Sequence, residues 1–278
     1  MSATDLKHVI RDDVTRALEE DIGTGDITAA LIPFAQQSSA TVISREDATI
    51  CGVDWFNEVF KQLEPSIKVD WHVSDGDTVI PDQVLCKLAG SSRALLSGER
   101  AALNFLQTLS ATATVAAHYA SIVAGTNTKI LDTRKTIPGL RRAQKYAVSC
   151  GGCFNHRIGL YDAYLIKENH IAAAGSITNA ITTARTLNPQ ANVEVEVETM
   201  TEVTEALSGA ADILLLDNFS LDMLHEAVAL NNGQAILEAS GNVTADTVRA
   251  IAETGVDTIS TGELTKHVRA IDLSMRFQ

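Results

Sequence analysis

Residues 193–219 read VEVEVETMTEVTEALSGAADILLLDNF, with two apolar runs on either side of a helical pattern. The runs VEVEVE (193–198) and ILLLDN (213–218) have the length and composition of buried strands. Between them, apolar residues recur at helical spacing after Thr199, a residue type that often begins helices. A strand, a helix and a second strand in this order are typical of a parallel α/β fold.

The same alternation continues from residue 129 to the end of the chain. The other apolar runs are KILDT (129–133), YLIKE (164–168), AILEAS (235–240) and DTISTG (257–262). The residues at or near the ends of the six runs are Arg134, Lys167, Glu196, Asp217, Ser240 and Gly262. Because the carboxyl ends of all strands in an α/β barrel meet on one face, we expect these residues in a single pocket.

Residues 1–110 follow another pattern. An opening helix is predicted over about residues 4–20, and a second helical patch covers VDWFNEVFKQL (53–63). Residues 66–90 alternate apolar and polar side chains around DGD and PDQ turns, which indicates antiparallel strands. We therefore predict an α+β domain over 1–110 beside an α/β barrel that begins at residue 111.

Composition limits the classes of function. The chain has 278 residues, 45% of them hydrophobic, which is enough for a large core and excludes a disordered protein. A net charge of −13 disfavours binding to nucleic acid or anionic membranes. No apolar run reaches the roughly 20 residues of a membrane span, and acids recur through residues 1–20. We expect a soluble, cytoplasmic protein that binds neither nucleic acid nor membranes.

The four cysteines are too few for a disulfide framework, which fits a reducing compartment. The close pair, Cys150 and Cys153, could be half of a zinc site or a redox pair. The chain has no second CxxC, so the favoured interpretation is two small residues beside a glycine turn.

A basic stretch interrupts this acidic chain. Residues 129–170 hold eight Lys and Arg against three acids, a local charge of +5. Arg134 and Arg157 offer planar forks for carboxylate or phosphate, and Lys135 and Lys167 offer point charges. Two separate arginines favour a ligand with more than one anionic group. Any single one of these residues could instead form a structural ion pair.

The acids of VEVEVE need an explanation, because alternation puts Glu194, Glu196 and Glu198 on one face of a covered strand. Buried carboxylates need partners, which lysine and arginine at neighbouring strand ends could supply. Glu196 is expected nearest the pocket mouth, with Asp217 equivalent to it one strand later. Two such carboxylates could hold sugar hydroxyls, stabilise positive charge on a ribose, or bind Mg²⁺.

Two glycine-containing turns follow the last strands. Residues 240–242 (SGN) and 260–263 (STGE) each precede a helical segment, where backbone N–H groups can bind a phosphate. His156 is expected to hydrogen-bond a substrate, whereas substrate binding and a structural role are equally compatible with His170. The neighbours of both histidines in sequence include cations, which disfavours a metal ion there.

The chain resembles the quinolinate phosphoribosyltransferase family. The motifs that carry the resemblance are GERAALNFLQTLSATAT, DTRKTIPGLR, CGGCFNHRIGLYDAYLIKENHI, VEVEVE, LLLDN, ASGN and STGELTKH, in this order. The resemblance implies an N-terminal sandwich domain (1–110), an open, incomplete TIM-like barrel (111–268) and a tail (269–278) that returns to the first domain. It also implies a homodimer whose active sites are shared, with Arg100 of GER entering the neighbour's pocket.

The resemblance also implies roles for single residues. The dicarboxylate would be bound by Arg100, Arg134, His156, Arg157 and Lys167. Lys135 would act near the reaction centre and pyrophosphate, the catalytic carboxylates Glu196 and Asp217 would take the ribose hydroxyls and Mg²⁺, and Ser240, Gly241 and Gly262 would surround the 5-phosphate. Two positions depart from the family pattern, which commonly has glycine where this chain has Cys153 and Ala111. Cys153 would stiffen the loop before His156 or make it open to oxidation.

The implied reaction joins quinolinate to phosphoribosyl pyrophosphate and releases pyrophosphate and CO₂, leaving nicotinate mononucleotide for NAD biosynthesis. Three alternatives stay open. The protein could be an aldolase-like barrel in which Lys167 forms a Schiff base, although the arginines argue against it. It could be a related transferase for another pyridine, or a non-catalytic sensor that kept the fold.

Overall fold

The computed structural model describes residues 3–278, with side chains from Leu6 onward. Its first part forms α1 (Ala3–Ile22), β1 (Gln37–Ser44), β2 (Ala48–Thr49), α2 (Val53–Leu63), β3 (Lys68–Trp71), β4 (Thr78–Val79), β5 (Val84–Ser91) and α3 (Ser92–Ile122). A short 3₁₀ turn lies at Ala29–Leu31. The second part forms β6 (Lys129–Leu131), α4 (Arg141–Cys150), β7 (Tyr164–Ile166), α5 (Glu168–Ala174), α6 (Ile177–Leu187), β8 (Val193–Val197), α7 (Met200–Ser208), β9 (Ile213–Asp217), α8 (Leu221–Asn231), β10 (Ile236–Ser240), α9 (Val248–Glu253), β11 (Thr258–Ser260), α10 (Glu263–Lys266) and β12 (Leu273–Phe277).

The chain folds into two compact units that are discontinuous in sequence. The first comprises residues up to 117, residues 136–152 and residues 265–278, and the second comprises 118–135 and 153–264. Helix α3 runs through the predicted boundary near residue 110. Residues 136–152, which contain α4, group with the first unit, whereas the sequence placed them in the barrel.

The first unit is built on an antiparallel sheet in the order β12-β1-β5-β3. The last strand pairs with β1, so that Met275 lies opposite Val42. Its core contains Trp55, Phe56 and Phe60 of α2, all fully or nearly fully buried. The apolar spacing of VDWFNEVFKQL puts these rings on one face of the helix, which explains why this short segment is helical.

The second unit holds six parallel strands in the order β6-β11-β10-β9-β8-β7. Helices follow β7, β8, β9, β10 and β11. Within residues 3–278 the two edge strands, β6 and β7, do not pair with each other, and a single bridge joins Leu131 to Phe154. The predicted α/β fold with an N-terminal sheet domain and an open parallel sheet is confirmed. No helix in the described part of the chain is both long and apolar enough to cross a membrane.

The register of the parallel strands brings their carboxyl ends to one edge. Glu196 of β8 lies opposite Leu215 of β9, and Asp217 of β9 lies opposite Ser240 of β10. The apolar residues between them are covered on both faces, as the run ILLLD predicted, since Leu214 and Leu216 are fully buried. Polar side chains of neighbouring strands are therefore held side by side at this edge.

The loops after β9 and β10 interlock around a glycine. Asn218 has φ +57°, and its N–H donates to the Ser240 carbonyl at 2.9 Å. Gly241 has φ +91°, and a Cβ there would lie 2.2 Å from the Asn218 Oδ1 and 2.9 Å from the Asn218 backbone nitrogen. Asn242 donates from its side chain to the same Oδ1 at 3.0 Å. Only glycine fits at position 241, for reasons of both backbone angle and space.

Gly241→Ala should therefore destabilise the protein more than Gly233→Ala. Gly233 also has a positive φ, +78°, but a Cβ there would meet nothing within 4 Å. Backbone strain should lower the free energy of unfolding by about 1–2 kcal/mol at either site. Crowding of the new Cβ should lower it by about a further 1–3 kcal/mol at Gly241. Urea denaturation of both variants measures the difference; equal losses would show that the contact with Asn218 is easily relieved.

Candidate active site

A cavity of about 380 Å³ lies at the carboxyl edge of the parallel sheet. The residues singled out by the sequence that line it are Arg134, Lys135, His156, Arg157, Lys167, Glu196, Asp217 and Ser240. Most of them lie at or just beyond the carboxyl ends of five of the six strands. The others lie in the loop that follows the bridge at Phe154. Residues that are up to 106 positions apart in sequence thus share one cavity, as the strand-end argument expected.

A larger cavity, of about 690 Å³, lies at the other end of the strands. Its acids already have partners within the fold. Asp212 pairs with Arg185 at 2.8 Å and accepts the Val193 N–H at 2.7 Å, and Asp257 accepts the Leu237 N–H at 2.8 Å. Side chains that connect the amino-terminal ends of the strands in this way stabilise the fold. The smaller cavity, at the carboxyl ends, is therefore the candidate active site.

Two guanidinium groups lie close together in this cavity. Burial lowers the pKa of Arg157, and the positive charge of Arg134 lowers it further. The guanidinium of Arg157 also donates from NH1 to the Ala163 carbonyl at 3.4 Å. Like charges that are held together in a partly buried site favour an anion that neutralises both. The arrangement is suited to a ligand with at least one carboxylate or phosphate.

Asp132 fixes the loop that carries Arg157. It is fully buried, and its carboxylate accepts the Asn155 side chain at 2.8 Å and the His156 N–H at 2.9 Å. This role of Asp132 was not predicted from the sequence. An acid closing the apolar strand KILD was a signal of the same kind as Asp217 in ILLLD.

His156 lies between two buried carboxylates. Its Nε2 is 3.2 Å from the Glu194 Oε2 and 3.4 Å from the Glu238 Oε1, and both acids are 2% exposed. Burial alone would lower the pKa of His156, but hydrogen bonds to Glu194 and Glu238 raise it to about 10. The Arg157 N–H approaches Nδ1 at 2.8 Å. A protonated His156 cannot accept this hydrogen bond, because its Nδ1 then carries a hydrogen. The loss is smaller than the gain from the two contacts between the charged ring and the carboxylates.

These contacts correct two expectations. The groups that face His156 are acids, not the cations that its sequence neighbours suggested. The partner of Glu194 is this histidine rather than a lysine or arginine. Glu238 was not singled out from the sequence, although an acid between the buried residues Leu237 and Ala239 was a visible signal.

Glu196 and Asp217 form an acidic pair beside a lysine. Lys167 makes an ion pair with Glu196 through Nζ and Oε2. Burial raises the pKa of Asp217, and repulsion from Glu196 raises it further, while Lys167 lowers it. Glu198 does not join them, because β8 ends at Val197 and the Glu198 side chain is exposed. The expectation that all three acids of VEVEVE share one buried face is therefore wrong for the last of them.

The remaining predicted residues lie around or outside the cavity. Ser240 lines it, and so does Ser260 of the second turn, whereas Gly241 and Gly262 are not among its lining residues. Arg100 is exposed on α3 and belongs to the first unit. His170 accepts the Lys167 N–H at its Nδ1, at 3.0 Å, and so caps α5.

Cys153 is not the oxidisable residue that its position suggested. The side chain is 5% exposed, and burial raises the pKa of its thiol to about 12. A thiol that stays protonated is a poor nucleophile towards oxidants.

The raised pKa of His156 predicts a pH-dependent contribution to stability. A pKa raised from 6.5 to about 10 stabilises the fold fully below about pH 6.5, and this contribution is lost as the pH rises through 10. The stability of the wild type relative to His156→Gln, which cannot take up a proton, should fall across this range. Urea denaturation at fixed ionic strength measures the difference, and a constant difference would contradict the charged histidine.

Two family models match the chain: the quinolinate phosphoribosyl transferase N-terminal domain over residues 26–110, and the C-terminal domain over residues 112–276. A probable nicotinate-nucleotide pyrophosphorylase (carboxylating) from Bacillus subtilis is 41% identical over 257 residues, 92% of this chain and 89% of that protein. A chloroplastic nicotinate-nucleotide pyrophosphorylase (carboxylating) from Arabidopsis thaliana is 41% identical over 98% of this chain and 82% of that protein.

Solved structures agree with the sequence relatives. The nicotinate-nucleotide pyrophosphorylase from Francisella tularensis superposes with a TM-score of 0.95 at 49% identity, covering 98% of this chain and 96% of that one. The enzyme of the same name from Ehrlichia chaffeensis gives 0.92 at 36% identity, with 100% and 99% covered. The resemblance seen in the motifs is thereby confirmed, and the chain belongs to the quinolinate phosphoribosyltransferase family.

Proposed function

We propose that this protein transfers the phosphoribosyl group of phosphoribosyl pyrophosphate to quinolinate and releases pyrophosphate and CO₂. The product would be nicotinate mononucleotide, a precursor of NAD. One observation carries the proposal: a pair of guanidinium groups and a pair of carboxylates share one cavity at the carboxyl edge of the sheet. The names of the relatives support it, since they are nicotinate-nucleotide pyrophosphorylases or quinolinate phosphoribosyltransferases.

The basic side of the cavity suits quinolinate, a pyridine with two adjacent carboxylates. Arg134 and Arg157 would take the carboxylates as planar forks, and Lys167 would add a point charge. The ring of His156 would border the dicarboxylate on this side, with its Nε2 held by Glu194 and Glu238. A monocarboxylate pyridine would leave part of this charge unpaired, so a dicarboxylate is favoured over other pyridines.

The acidic side suits the ribose. Glu196 and Asp217 would accept hydrogen bonds from the ribose hydroxyls and stabilise positive charge that develops on the sugar ring. Lys135, whose side chain is exposed at the cavity, would contact the pyrophosphate. The 5-phosphate would lie at Ser240, with the backbone of Gly241 and Gly262 nearby.

The acidic pair also fits Mg²⁺. Hard oxygen ligands are those that Mg²⁺ prefers, and the raised pKa of Asp217, caused first by burial and then by Glu196, indicates negative charge that a cation would neutralise. Glu196 and Asp217 would hold the ion, which when bound supplies neutralising charge for the leaving pyrophosphate.

The chemistry then follows from positioning. With the carboxylates of quinolinate held by the arginines, its ring nitrogen faces the anomeric carbon and displaces pyrophosphate. Quaternisation makes that nitrogen an electron sink for the carbanion left at C2 when the adjacent carboxylate departs as CO₂. The carbanion then takes up one proton from water to give nicotinate mononucleotide. The intermediate itself thus provides what an organic cofactor would otherwise supply.

A Schiff base at Lys167 is disfavoured by the same geometry. The Lys167 Nζ is engaged in an ion pair with Glu196, whereas a Schiff-base lysine needs that nitrogen free to attack a carbonyl.

We further propose a homodimer in which each active site receives Arg100 from the partner. In support, Arg100 is a charged side chain exposed on the long helix α3, within the GER motif that resembles the family. The first unit, to which Arg100 belongs, contributes none of the residues that line the described cavity.

The proposal predicts CO₂ release from labelled quinolinate only when phosphoribosyl pyrophosphate and Mg²⁺ are both present. Arg157→Ala should weaken quinolinate binding by about 2–5 kcal/mol, because a partly buried charged partner is lost. The matched control is Arg249→Ala on α9, which removes an exposed pair with Glu253 and should change binding little. Calorimetric titration measures the affinities, and near-normal affinity in Arg157→Ala would refute the assignment.

The shared site predicts complementation between two inactive variants. When Arg100→Ala and Lys135→Ala subunits are mixed equally and exchange freely, about half of the dimers are hybrids, and each hybrid has one intact site. Activity should therefore recover to about a quarter of the wild-type value. Subunit exchange is verified with differently tagged chains, and no recovery after exchange would contradict sharing.

A further inference from the structure

Two cysteines of the first unit lie close together in space although they are far apart in sequence. Cys51 immediately precedes Gly52 and α2 and is fully buried, while Cys150 is the last residue of α4 and is partly exposed. Their sulfurs and a carboxylate oxygen of Asp75 all lie within 4.8 Å of one another. None of these three residues lines the candidate active site.

The backbones on both sides of this thiol pair are fixed. The Cys51 N–H donates to the Ser110 Oγ at 2.9 Å, and that hydroxyl donates back to the Cys51 carbonyl at 3.1 Å. Gly151, next to Cys150, packs so tightly that a Cβ there would lie 2.3 Å from the Ala113 carbonyl oxygen. The fold therefore holds the two sulfurs within 4.8 Å of each other.

A metal ion is a poor occupant of this cluster, because Asp75 is already engaged. Its Oδ1 accepts the Gly52 N–H at 2.9 Å and the Val53 N–H at 3.1 Å, at the beginning of α2. Its Oδ2 accepts the Tyr146 hydroxyl at 2.9 Å. A cation would have to displace these donors beside a helix N-terminus, where the helix dipole favours negative charge.

The two thiols are chemically unequal. A hydrogen bond from Cys51 lowers the pKa of Cys150, against the opposing effects of burial and of the Asp75 carboxylate. Burial raises the pKa of Cys51, and the same thiol–thiol hydrogen bond raises it further. A partly exposed thiol of lowered pKa beside a buried thiol is the usual arrangement of an attacking and a resolving cysteine.

We propose that Cys51 and Cys150 are a reversible dithiol–disulfide site that exchanges with small-molecule disulfides such as oxidised glutathione. The Cys150 thiolate attacks one sulfur of the reagent, forms a mixed disulfide and releases one thiolate. Cys51 then loses its proton to solvent and attacks the Cys150 sulfur, which releases the second thiolate. The protein dithiol is oxidised by two electrons, and one molecule of reagent is reduced to two thiols.

The wild-type protein gives the first test. Treatment of the folded protein with oxidised glutathione, followed by mass spectrometry without reductant, should show the loss of two hydrogens and one peptide pair that links Cys51 to Cys150. Dithiothreitol should restore both thiols. Because the bond closes a loop from residue 51 to residue 150, the oxidised protein should also unfold at a higher temperature than the reduced protein.

Single variants separate the two roles. Cys51→Ser should retain one glutathione on Cys150, since the resolving thiol is missing, whereas Cys150→Ser should lose the rapid reaction altogether. Cys153→Ser is the matched control and should form the disulfide as the wild type does. Glutathione that stays on wild-type Cys150, a link from Cys150 to Cys153, or stoichiometric Zn²⁺ that protects both thiols from alkylation would each overturn the proposal.

Discussion

The cavity at the sheet edge is governed by the partial burial of like charges that the fold holds together. Burial lowers the pKa of Arg157 and the charge of Arg134 lowers it further, while burial raises the pKa of Asp217 and the charge of Glu196 raises it further. Each pair of like charges is destabilised by its mutual repulsion, and a bound ligand of the opposite charge reduces that repulsion. A site of this kind is built to bind anions on one side and cationic or hydroxyl-bearing groups on the other. In the proposed reaction, quinolinate and the ribose of the second substrate meet these two needs.

Sequence periodicity predicted the scaffold because each strand of the second unit carries its own signal. ILLLD is apolar up to its last residue and VEVEV alternates valines with acids, and each run places a polar residue at or next to its carboxyl end. Parallel strands then bring these ends to one edge whatever their separation along the chain. The arrival of Lys167, Glu196 and Asp217 in one cavity was therefore predictable from the pattern alone.

The pairing of side chains within the cavity was not predictable in the same way. Glu194 and Glu196 alternate identically, yet the first meets His156 and the second meets Lys167. This choice depends on the loop that Asp132 fixes, since the loop brings His156 to a strand 38 residues later in the chain. The grouping of residues 136–152 with the first unit escaped prediction for a related reason, because an amphipathic helix shows its apolar face but not the surface that covers it.

The ion pair between Lys167 and Glu196 connects the two sides of the cavity. Lys167 is 44% exposed and Glu196 is 15% exposed, so in the absence of ligands each partly neutralises the other at the mouth. In the proposed mechanism, a carboxylate of quinolinate competes for Lys167, and a ribose hydroxyl or Mg²⁺ competes for Glu196. The ligand that binds first must break the ion pair, so its binding free energy is reduced by the free energy of that contact. The other member of the pair is then left without its partner and is available to the second ligand. The two substrates should therefore favour each other's binding through this single contact, without any movement of the sheet.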